Sequence, residues 1–212
     1  ITGAGSGIGL AGAQALAAAG ATVVMSGRRK EILAREAEKI QASGGVAEIE
    51  PLDASDAGAV QRAAAGIAHR HGTIDILVNS AGINSTRRFW KDGSIDDWNR
   101  VIRVNLDGIY YCTKAVLPNM RKQKGGVVIN ISSWAGKYLS AIVGPAYTAS
   151  KHAVVALTAN LNMEECANGI RACVICPAEV DTPIMDSRPQ PPSAQARAKM
   201  LQPADLGRTI RW

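Results

Sequence analysis

Residues 2–9 read Thr2-Gly3-Ala4-Gly5-Ser6-Gly7-Ile8-Gly9, a glycine-rich turn that leads directly into the alanine-rich run Leu10–Ala19. Alanine is the strongest helix former, so a helix is expected immediately after the turn. Free N–H groups and the macrodipole at a helix start favour anions, and glycines let the backbone approach a diphosphate. The Gly-x-x-x-Gly-x-Gly spacing is neither the commoner dinucleotide spacing nor a P-loop, which would need a Gly-Lys-Ser/Thr ending. A flexible turn without a ligand is the weaker alternative.

A short apolar run at residues 21–26 has the character of a strand, and Gly27, Arg28 and Arg29 follow it. In dinucleotide folds this turn reads the adenosine ribose, with a carboxylate on the 2′-hydroxyl or an arginine beside a 2′-phosphate. No carboxylate occupies the turn here. The sequence therefore favours NADP(H) over NAD(H), with solvated arginines that bind nothing as the alternative.

Apolar runs and helical patterns alternate along the rest of the chain, which indicates a parallel, doubly wound sheet. Ligands bind such sheets at the carboxyl ends of the strands, where Asp53 and residues 79–82 fall. We expect an α/β fold of Rossmann type, a single domain over residues 1–212 with helices on both faces of the sheet. The expected elements are helices at 30–43, 56–71, 99–122 and 147–167, and strands at 46–52, 74–78, 127–131 and 170–176. Asn105 interrupts the third helix, because its amide competes for backbone hydrogen bonds, so a local break or a bound water is expected there.

A tyrosine and a lysine stand four residues apart in Tyr147-Thr148-Ala149-Ser150-Lys151. Residues i and i+4 share a helix face, so the Lys151 ammonium can lie near the phenol. A nearby cation stabilises a phenolate and lowers a tyrosine pKa from its usual value of about 10. Alone, the pair could equally be a solvated helix face; two hydroxyls at Ser132 and Ser133, at the end of the preceding strand, favour a chemical role.

Composition excludes several classes of protein. The net charge is +6, but the 24 Lys and Arg are spread out and the one run of three is Arg28–Lys30. This is too short for a nucleic-acid surface, so no nucleic-acid partner is expected. No apolar run of 18 residues and no secretory signal occur, so we expect a cytoplasmic protein without a membrane span. Cys173 and Cys176 form a CxxC, but a buried strand would direct them to opposite faces, so neither a redox role nor a metal site is expected.

Two segments are open to more than one interpretation. Residues 83–97 are polar and irregular, with Phe89, Trp90 and Trp98 close by, and either line a pocket or form a surface loop with aromatic anchors. Residues 183–200 are predicted to form a mobile lid over the substrate site, with a helix at 195–201. A further helix is expected from Pro203. The chain starts at Ile1 on the glycine turn, so we expect that a first strand is missing.

Taken in order, these motifs resemble the short-chain dehydrogenase/reductase family over essentially the whole chain. The features that carry the resemblance are TGxxxGxG at Thr2–Gly9, Asp53 after the third strand, the NxAG turn at 79–82, Asn105, Ser133, and YxxxK at Tyr147–Lys151. The resemblance implies hydride transfer between NADP(H), or NAD(H), and a small-molecule secondary alcohol or ketone. It also implies a homodimer or homotetramer built on helices 105–122 and 149–168.

The resemblance further implies roles for single residues. Tyr147 is the general acid/base, Ser133 holds the substrate oxygen, Lys151 lowers the Tyr147 pKa and binds ribose, and Asn105 holds a relay water. The implied cofactor contacts are Gly3, Ser6, Gly7, Ile8, Gly9, Arg28, Asp53, Asn79, Ala81, Gly82, Tyr147, Lys151, Pro177, Val180 and Thr182.

Three departures from the family pattern stand out. Ser80 replaces the second Asn of the usual NNAG, and Ala178 replaces the Gly of the usual Pro-Gly, which would cost energy if a positive φ were needed there. The interval from Ser133 to Tyr147 is one residue longer than usual, and the family's C-terminal segment is missing. A non-catalytic dinucleotide-binding regulator or scaffold is the alternative function, although it would not need all four catalytic residues. A hydrolase is excluded because no G-x-S-x-G elbow occurs.

Overall fold

The computed structural model describes all residues from Ile1 to Trp212. In chain order the elements are α1 (Gly7–Ala18), β1 (Thr22–Gly27), α2 (Lys30–Ala42), β2 (Val46–Pro51), α3 (Ala57–His71), β3 (Ile76–Asn79), α4 (Ile95–Ile102), a π-helix (Arg103–Asp107), α5 (Gly108–Gln123), β4 (Gly126–Ile131), α6 (Pro145–Glu165), β5 (Ile170–Ile175), α7 (Ala194–Arg197) and α8 (Pro203–Arg211). Short 3₁₀ turns lie at Trp134–Gly136, Cys166–Asn168 and Pro183–Ser187. The chain divides into two compact units, Ile1–Asp53 with Ala178–Trp212 (the first unit) and Ala54–Pro177 (the second unit).

The first unit is built on a parallel pair of strands. β1 and β2 run in register from Thr22 opposite Val46 to Gly27 opposite Pro51. Thr2 forms a parallel bridge with Ser26, which places the glycine turn beside the end of β1. Helix α8 packs on α1 through its buried residues Leu206 and Ile210.

The second unit contains a parallel three-stranded sheet in the order β3-β4-β5. The last four residues of the central strand β4 are all buried, with Val128 fully enclosed. The expectation of a buried strand at 170–176 is wrong for β5, because Arg171 and Cys173 are exposed. β5 is an edge strand of this sheet, so one of its sides has no neighbouring strand.

Helix starts follow their capping residues. Asp56 caps α3 by accepting a hydrogen bond from the Ala59 N–H, as expected for an N-cap aspartate. α4 begins at Ile95, inside the segment predicted to be irregular, because Ser94 and Asp97 form a capping box. Hydrogen bonds from Ser94, and then from Ser85, lower the pKa of Asp97 to about 2, so this carboxylate stays ionised.

The predicted break at Asn105 is confirmed. Residues Arg103–Asp107 form a π-helix between α4 and α5, which inserts one extra residue into the turn.

The helix predicted at 195–201 is shorter than expected and ends at Arg197. No helix in the structure is both long enough and apolar enough to cross a membrane.

An ion pair joins α5 to α6. Glu165 is buried and accepts two hydrogen bonds from Arg121, one of them at 2.9 Å, and a third from Asn168 at 2.8 Å. Arg121 is half-exposed. The Arg121 hydrogen bond, against the opposing effect of burial, lowers the pKa of Glu165 below its usual 4.5.

Replacing Arg121 by Ala should lower the free energy of unfolding by about 2 kcal/mol, because the buried Glu165 carboxylate loses its main partner. Since the folded-state pKa of Glu165 is depressed, the contribution is present above about pH 4.5 and is lost as the pH falls. Denaturant titrations of both proteins should therefore converge at low pH. Arg208→Ala, which breaks an exposed pair with Asp205, is the control and should change stability by less than about 1 kcal/mol. A difference for Arg121→Ala that persists unchanged to about pH 3 would contradict this assignment.

Candidate active site

The start of α1 in the first unit has the geometry of an anion cradle. Gly3 and Gly7 have positive φ angles of 66° and 55°, which a side chain would strain. A Cβ on Gly9 would lie 2.5 Å from the Gly3 carbonyl oxygen, so the backbone is closed tightly at this point. The Ser6 side chain makes no capping hydrogen bond, and no acidic residue lies in the first turn. Ser6 and Ile8 are half-buried, and the uncapped helix start fits a diphosphate.

Val180 and Thr182 follow β5 and also belong to the first unit. Thr182 begins the 3₁₀ turn Pro183–Ser187, and its Cγ2 lies 3.0 Å from the position a Cβ of Gly7 would take. Thr182 is therefore placed beside the cradle. Val180 is buried and forms a parallel bridge with Leu201, so any ligand contact at Val180 would have to come from its backbone.

The ends of β1 and β2 carry the other predicted cofactor residues of this unit. The Leu52 N–H donates to the Gly27 carbonyl at 2.9 Å, which holds the two strand ends together. Arg28 follows β1, is exposed, and forms no ion pair. Asp53 follows β2 and is also exposed. The Arg28 guanidinium is thus available for a phosphate.

In the second unit, Lys151 is almost completely buried. Its Nζ donates to the Ile131 carbonyl oxygen at 2.8 Å and lies 5.5 Å from the centre of the Tyr147 ring. The predicted pairing of Tyr147 and Lys151 across one helical turn is therefore present. Burial lowers the pKa of Lys151 to about 8, opposed by a smaller influence of Cys176. A cation held here favours the phenolate form of Tyr147.

Asn105 is fully buried at the centre of the π-helix. Its Oδ1 accepts from the Ile83 N–H at 2.8 Å, and its Nδ2 donates to the Ile83 carbonyl at 3.0 Å and to Ser150 Oγ at 3.3 Å. The Ser150 hydroxyl donates to the Tyr147 carbonyl at 2.8 Å. Ser150 therefore connects Asn105 to the Tyr147 turn, a role that the sequence reasoning missed. Its one signal is a small hydroxyl residue between Tyr147 and Lys151.

Of the two hydroxyls that follow β4, only the second is accessible. Ser132 is buried and donates to the Lys151 carbonyl at 2.8 Å. Ser133 is half-exposed and caps the next 3₁₀ turn, where its Oγ accepts from the Ala135 N–H at 3.1 Å. Ser133 thus remains open on one side, whereas Ser132 secures β4 to α6.

The turn after β3 places backbone beside the buried polar groups. The Asn79 side chain is directed into the interior, where Nδ2 donates to Asn130 at 2.9 Å and to Thr113 at 3.3 Å. A ligand contact at Asn79 would therefore have to use its backbone. Asn105 Oδ1 and Lys151 Nζ each lie 3.7 Å from the position that a Cβ of Gly82 would occupy. Ala81, next to Gly82, is half-buried.

The departure at Ala178 carries no backbone strain. Lys124 is the one non-glycine residue with a positive φ, so Ala178 adopts an ordinary conformation. The carbonyl of Pro177 accepts from the Trp134 N–H at 2.7 Å, which fixes the turn after Ser133.

The predicted site residues thus group within each unit. Those brought together in the first unit are Gly3, Gly7, Gly9 and Thr182, and those in the second unit are Gly82, Asn105, Tyr147 and Lys151.

A separate cavity of about 230 Å³ lies within the second unit. It is bounded by the segment 84–101 and by Pro145 and Ala146 of the first turn of α6. The segment 83–97 therefore lines a cavity, which was one of the two interpretations of its sequence. Phe89, Trp90 and Trp98 contribute aromatic surface to it.

Comparison with known proteins places the chain in a family. The model for short chain dehydrogenases matches residues 1–192. The chain is 37% identical to 3beta-hydroxysteroid dehydrogenase of Mediterraneibacter gnavus, over 100% of this chain and 75% of that protein. It is 36% identical to meso-2,3-butanediol dehydrogenase of Serratia marcescens, over 98% of this chain and 79% of that protein. The crystal structure of a metagenomic short-chain oxidoreductase in complex with NADP matches with a TM-score of 0.85 and 33% identity, over 99% of this chain and 86% of that one.

The chain belongs to the short-chain dehydrogenase/reductase family, whose members named above are oxidoreductases that act on CH–OH groups. The expected Rossmann-type α/β fold, with parallel strands flanked by helices, is confirmed by the match to this crystal structure.

The burial of Lys151 should cost stability below its pKa. Because the folded-state pKa of about 8 lies below the usual 10.5, the folded protein carries an unfavourable buried charge below about pH 8 and loses that cost as the pH rises. Lys151→Met should therefore be more stable than the original protein at pH 7, by an amount on the order of 2 kcal/mol. Denaturant titrations should show this difference shrinking by about pH 9.5. A less stable Lys151→Met protein, or a difference that does not change with pH, would contradict the assignment.

Proposed function

We propose that this protein transfers hydride between NADP(H) and a secondary alcohol or ketone, with Tyr147 as general acid/base. The observation that carries the proposal is the Lys151 ammonium, buried and held by the Ile131 carbonyl 5.5 Å from the Tyr147 ring. Burying a cation lowers the stability of the fold. A buried cation next to a phenol that must ionise is therefore expected to act in catalysis, by stabilising the phenolate. NADP(H), when bound, supplies or accepts the hydride.

In the direction of reduction, the Tyr147 hydroxyl donates its proton to the substrate oxygen as the carbonyl becomes an alcohol. The Ser133 hydroxyl, which is open on one side, donates a hydrogen bond to the same oxygen and orients it. Lys151 stabilises the resulting phenolate and contacts the ribose hydroxyls. Asn105 holds a water that returns the proton, a role supported by its Oδ1 and Lys151 Nζ, which both lie 3.7 Å from the position that a Cβ of Gly82 would occupy.

Residues in each unit fit a part of NADP(H). The uncapped start of α1, with Gly3, Gly7 and Gly9, suits a diphosphate, and the unpaired Arg28 suits a 2′-phosphate. The metagenomic relative was crystallised with NADP, which supports the same preference here, with NAD as the second choice. The relatives named above act on a hydroxysteroid and on a butanediol, two very different alcohols. They support oxidation of a secondary alcohol, or its reverse, as the reaction of this protein, but they do not indicate one substrate.

Assembly and location complete the proposal. α5 and α6 carry exposed apolar side chains, Tyr110 and Met163, that suit contact with a second copy in a homodimer or homotetramer. Sedimentation analysis would test this assembly. All four cysteines are free, which fits a reducing compartment such as the cytoplasm.

Replacing Tyr147 by Phe should lower kcat with any ketone substrate at least about 100-fold, because the variant has no proton to donate. NADPH affinity, followed by fluorescence titration, should remain within about threefold of the original. Tyr110→Phe removes a hydroxyl on α5 and is the control; its kcat should not change. Unchanged turnover in Tyr147→Phe would contradict the proposed acid/base.

The same experiment separates the alternative function. If the original protein binds NADPH but turns over neither NADPH nor NADP⁺ with any member of a panel of steroids, sugars, hydroxy acids and aliphatic ketones, a non-catalytic dinucleotide-binding role would be supported instead.

Replacing Arg28 by Asp should shift cofactor preference from NADPH toward NADH, because the new carboxylate repels a 2′-phosphate and can accept from a 2′-hydroxyl. The ratio of the two kcat/KM values should change roughly 10- to 100-fold, the range expected for a charged hydrogen bond. Arg62→Asp, the same charge change at an exposed site on α3, is the control and should leave the ratio unaltered. Equal affinities for both cofactors in the original protein would show that Arg28 does not read the phosphate.

A further inference from the structure

Aromatic residues are scarce in this chain and are concentrated in the segment of sequence that ends at Tyr147. The chain has four Trp, four Tyr and one Phe. Eight of the nine lie between residues 89 and 147: Phe89, Trp90, Trp98, Tyr110, Tyr111, Trp134, Tyr138 and Tyr147. Four large apolar side chains in the Ser133–Tyr147 connection are exposed, and we name them the apolar face: Trp134 (46% exposed), Tyr138 (58%), Leu139 (81%) and Ile142 (53%).

The two rings of the apolar face are held in place. Trp134 directly follows Ser133, and its N–H donates to the Pro177 carbonyl at 2.7 Å. The Tyr138 N–H donates to the Trp134 carbonyl at 3.0 Å, and the ring centres lie 4.9 Å apart with planes inclined by 33°. The hydrogen bonds fix the backbone at Trp134 and Tyr138, and the two rings pack against each other in a turn that begins directly after Ser133.

On the side away from the rings, the 3₁₀ turn Trp134–Gly136 packs directly against other parts of the second unit. A Cβ on Gly136 would lie 2.4 Å from Ser132 Oγ and 2.6 Å from the Lys151 carbonyl oxygen, so the turn is pressed against α6. The rings therefore have no core to enter on that side and remain accessible. An apolar surface of this kind beside reactive groups is typical of a ligand site.

The connection between Ser133 and Tyr147 carries little charge, which limits the class of substrate that can bind to the apolar face. Lys137 is the one charged residue between Ser133 and Tyr147. Sugars and hydroxy acids need polar or cationic partners, because burying their hydroxyls or carboxylates against rings leaves those groups without hydrogen bonds. The apolar face offers ring surface and aliphatic side chains instead.

We infer that the substrate is an apolar, fused-ring ketone or secondary alcohol whose ring body packs on Trp134 and Tyr138 while its oxygen meets Ser133 and Tyr147. This inference rests on the proposed function. In the reduction, the carbonyl carbon gains a hydride from NADPH, which is oxidised to NADP⁺, and the oxygen gains a proton from the Tyr147 hydroxyl. The C=O double bond becomes a C–OH group, and the phenolate regains its proton from solvent.

The test compares a fused-ring ketone, 2-tetralone, with a small one, 2-butanone, in the full-length protein with NADPH. The original protein should favour 2-tetralone in kcat/KM. Trp134→Ala and Tyr138→Ala should each lower kcat/KM for 2-tetralone about 10-fold, as expected when a large apolar contact is lost, and change that for 2-butanone by less than about twofold. Trp134→Phe, which retains a ring, should recover most of the loss.

Trp212→Ala is the matched control. Trp212 follows α8 in the first unit, is fully exposed, and has no role in the proposed site or assembly, so its removal should leave the ratio of the two kcat/KM values unchanged. Because the measured quantity is a ratio, a general loss of folded protein does not affect it.

The possible outcomes are distinct. Equal losses for both ketones in Trp134→Ala and Tyr138→Ala, or an original protein that prefers 2-butanone or a 2-oxo acid, would overturn the inference while leaving the proposed oxidoreductase intact. NADPH binding without turnover of any ketone would overturn the proposed function, and the inference with it.

Discussion

The hydrogen bond from the Lys151 ammonium to the Ile131 carbonyl joins the last residue of β4 to the helix that carries Tyr147. Ser132 makes a second connection by donating to the Lys151 carbonyl, and Gly136 leaves just enough room for the turn to approach α6. Together these contacts set the position of Ser133 relative to Tyr147. A strand end, a tight turn and a helix are thus held together around one buried charge.

This arrangement is retained against a cost in stability. A lysine with a pKa near 8 is destabilised by its surroundings, and the π-helix that carries Asn105 is a less favourable conformation than a continuous α-helix. Asn105 makes three amide hydrogen bonds, two with Ile83 and one with Ser150, which align the turn after β3 with α6 and leave one acceptor site on Oδ1. Rigid placement of the reacting groups is the gain that offsets these costs.

Local sequence signals predicted much of the fold and of the candidate site. The features that could not be predicted depend on packing between parts of the chain that are far apart in sequence. The glycine spacing at Thr2–Gly9, the break at Asn105 and the Tyr147–Lys151 pair depend on neighbours within a few residues, so they could be recognised in the sequence. The inward direction of the Asn79 side chain and the exposure of β5 depend on strands far away in the chain. The start of α4 was missed although the Ser94 and Asp97 capping box is a local signal. The roles of the site residues stay predictions until the variants are measured.

The π-helix also restricts how the length of this chain can change. It holds one more residue than an α-helical turn would, so deleting any one residue from Arg103–Asp107 would allow α4 and α5 to join into a more regular helix. Because the extra residue is absorbed within the π-helix, α4 and α5 would keep their mutual orientation after the deletion. The local widening that carries Asn105 would be lost, and with it the contacts of this amide with Ile83 and Ser150. Substitutions can accumulate in this segment, but a shortened version of it would be regular in backbone and would lack the buried amide.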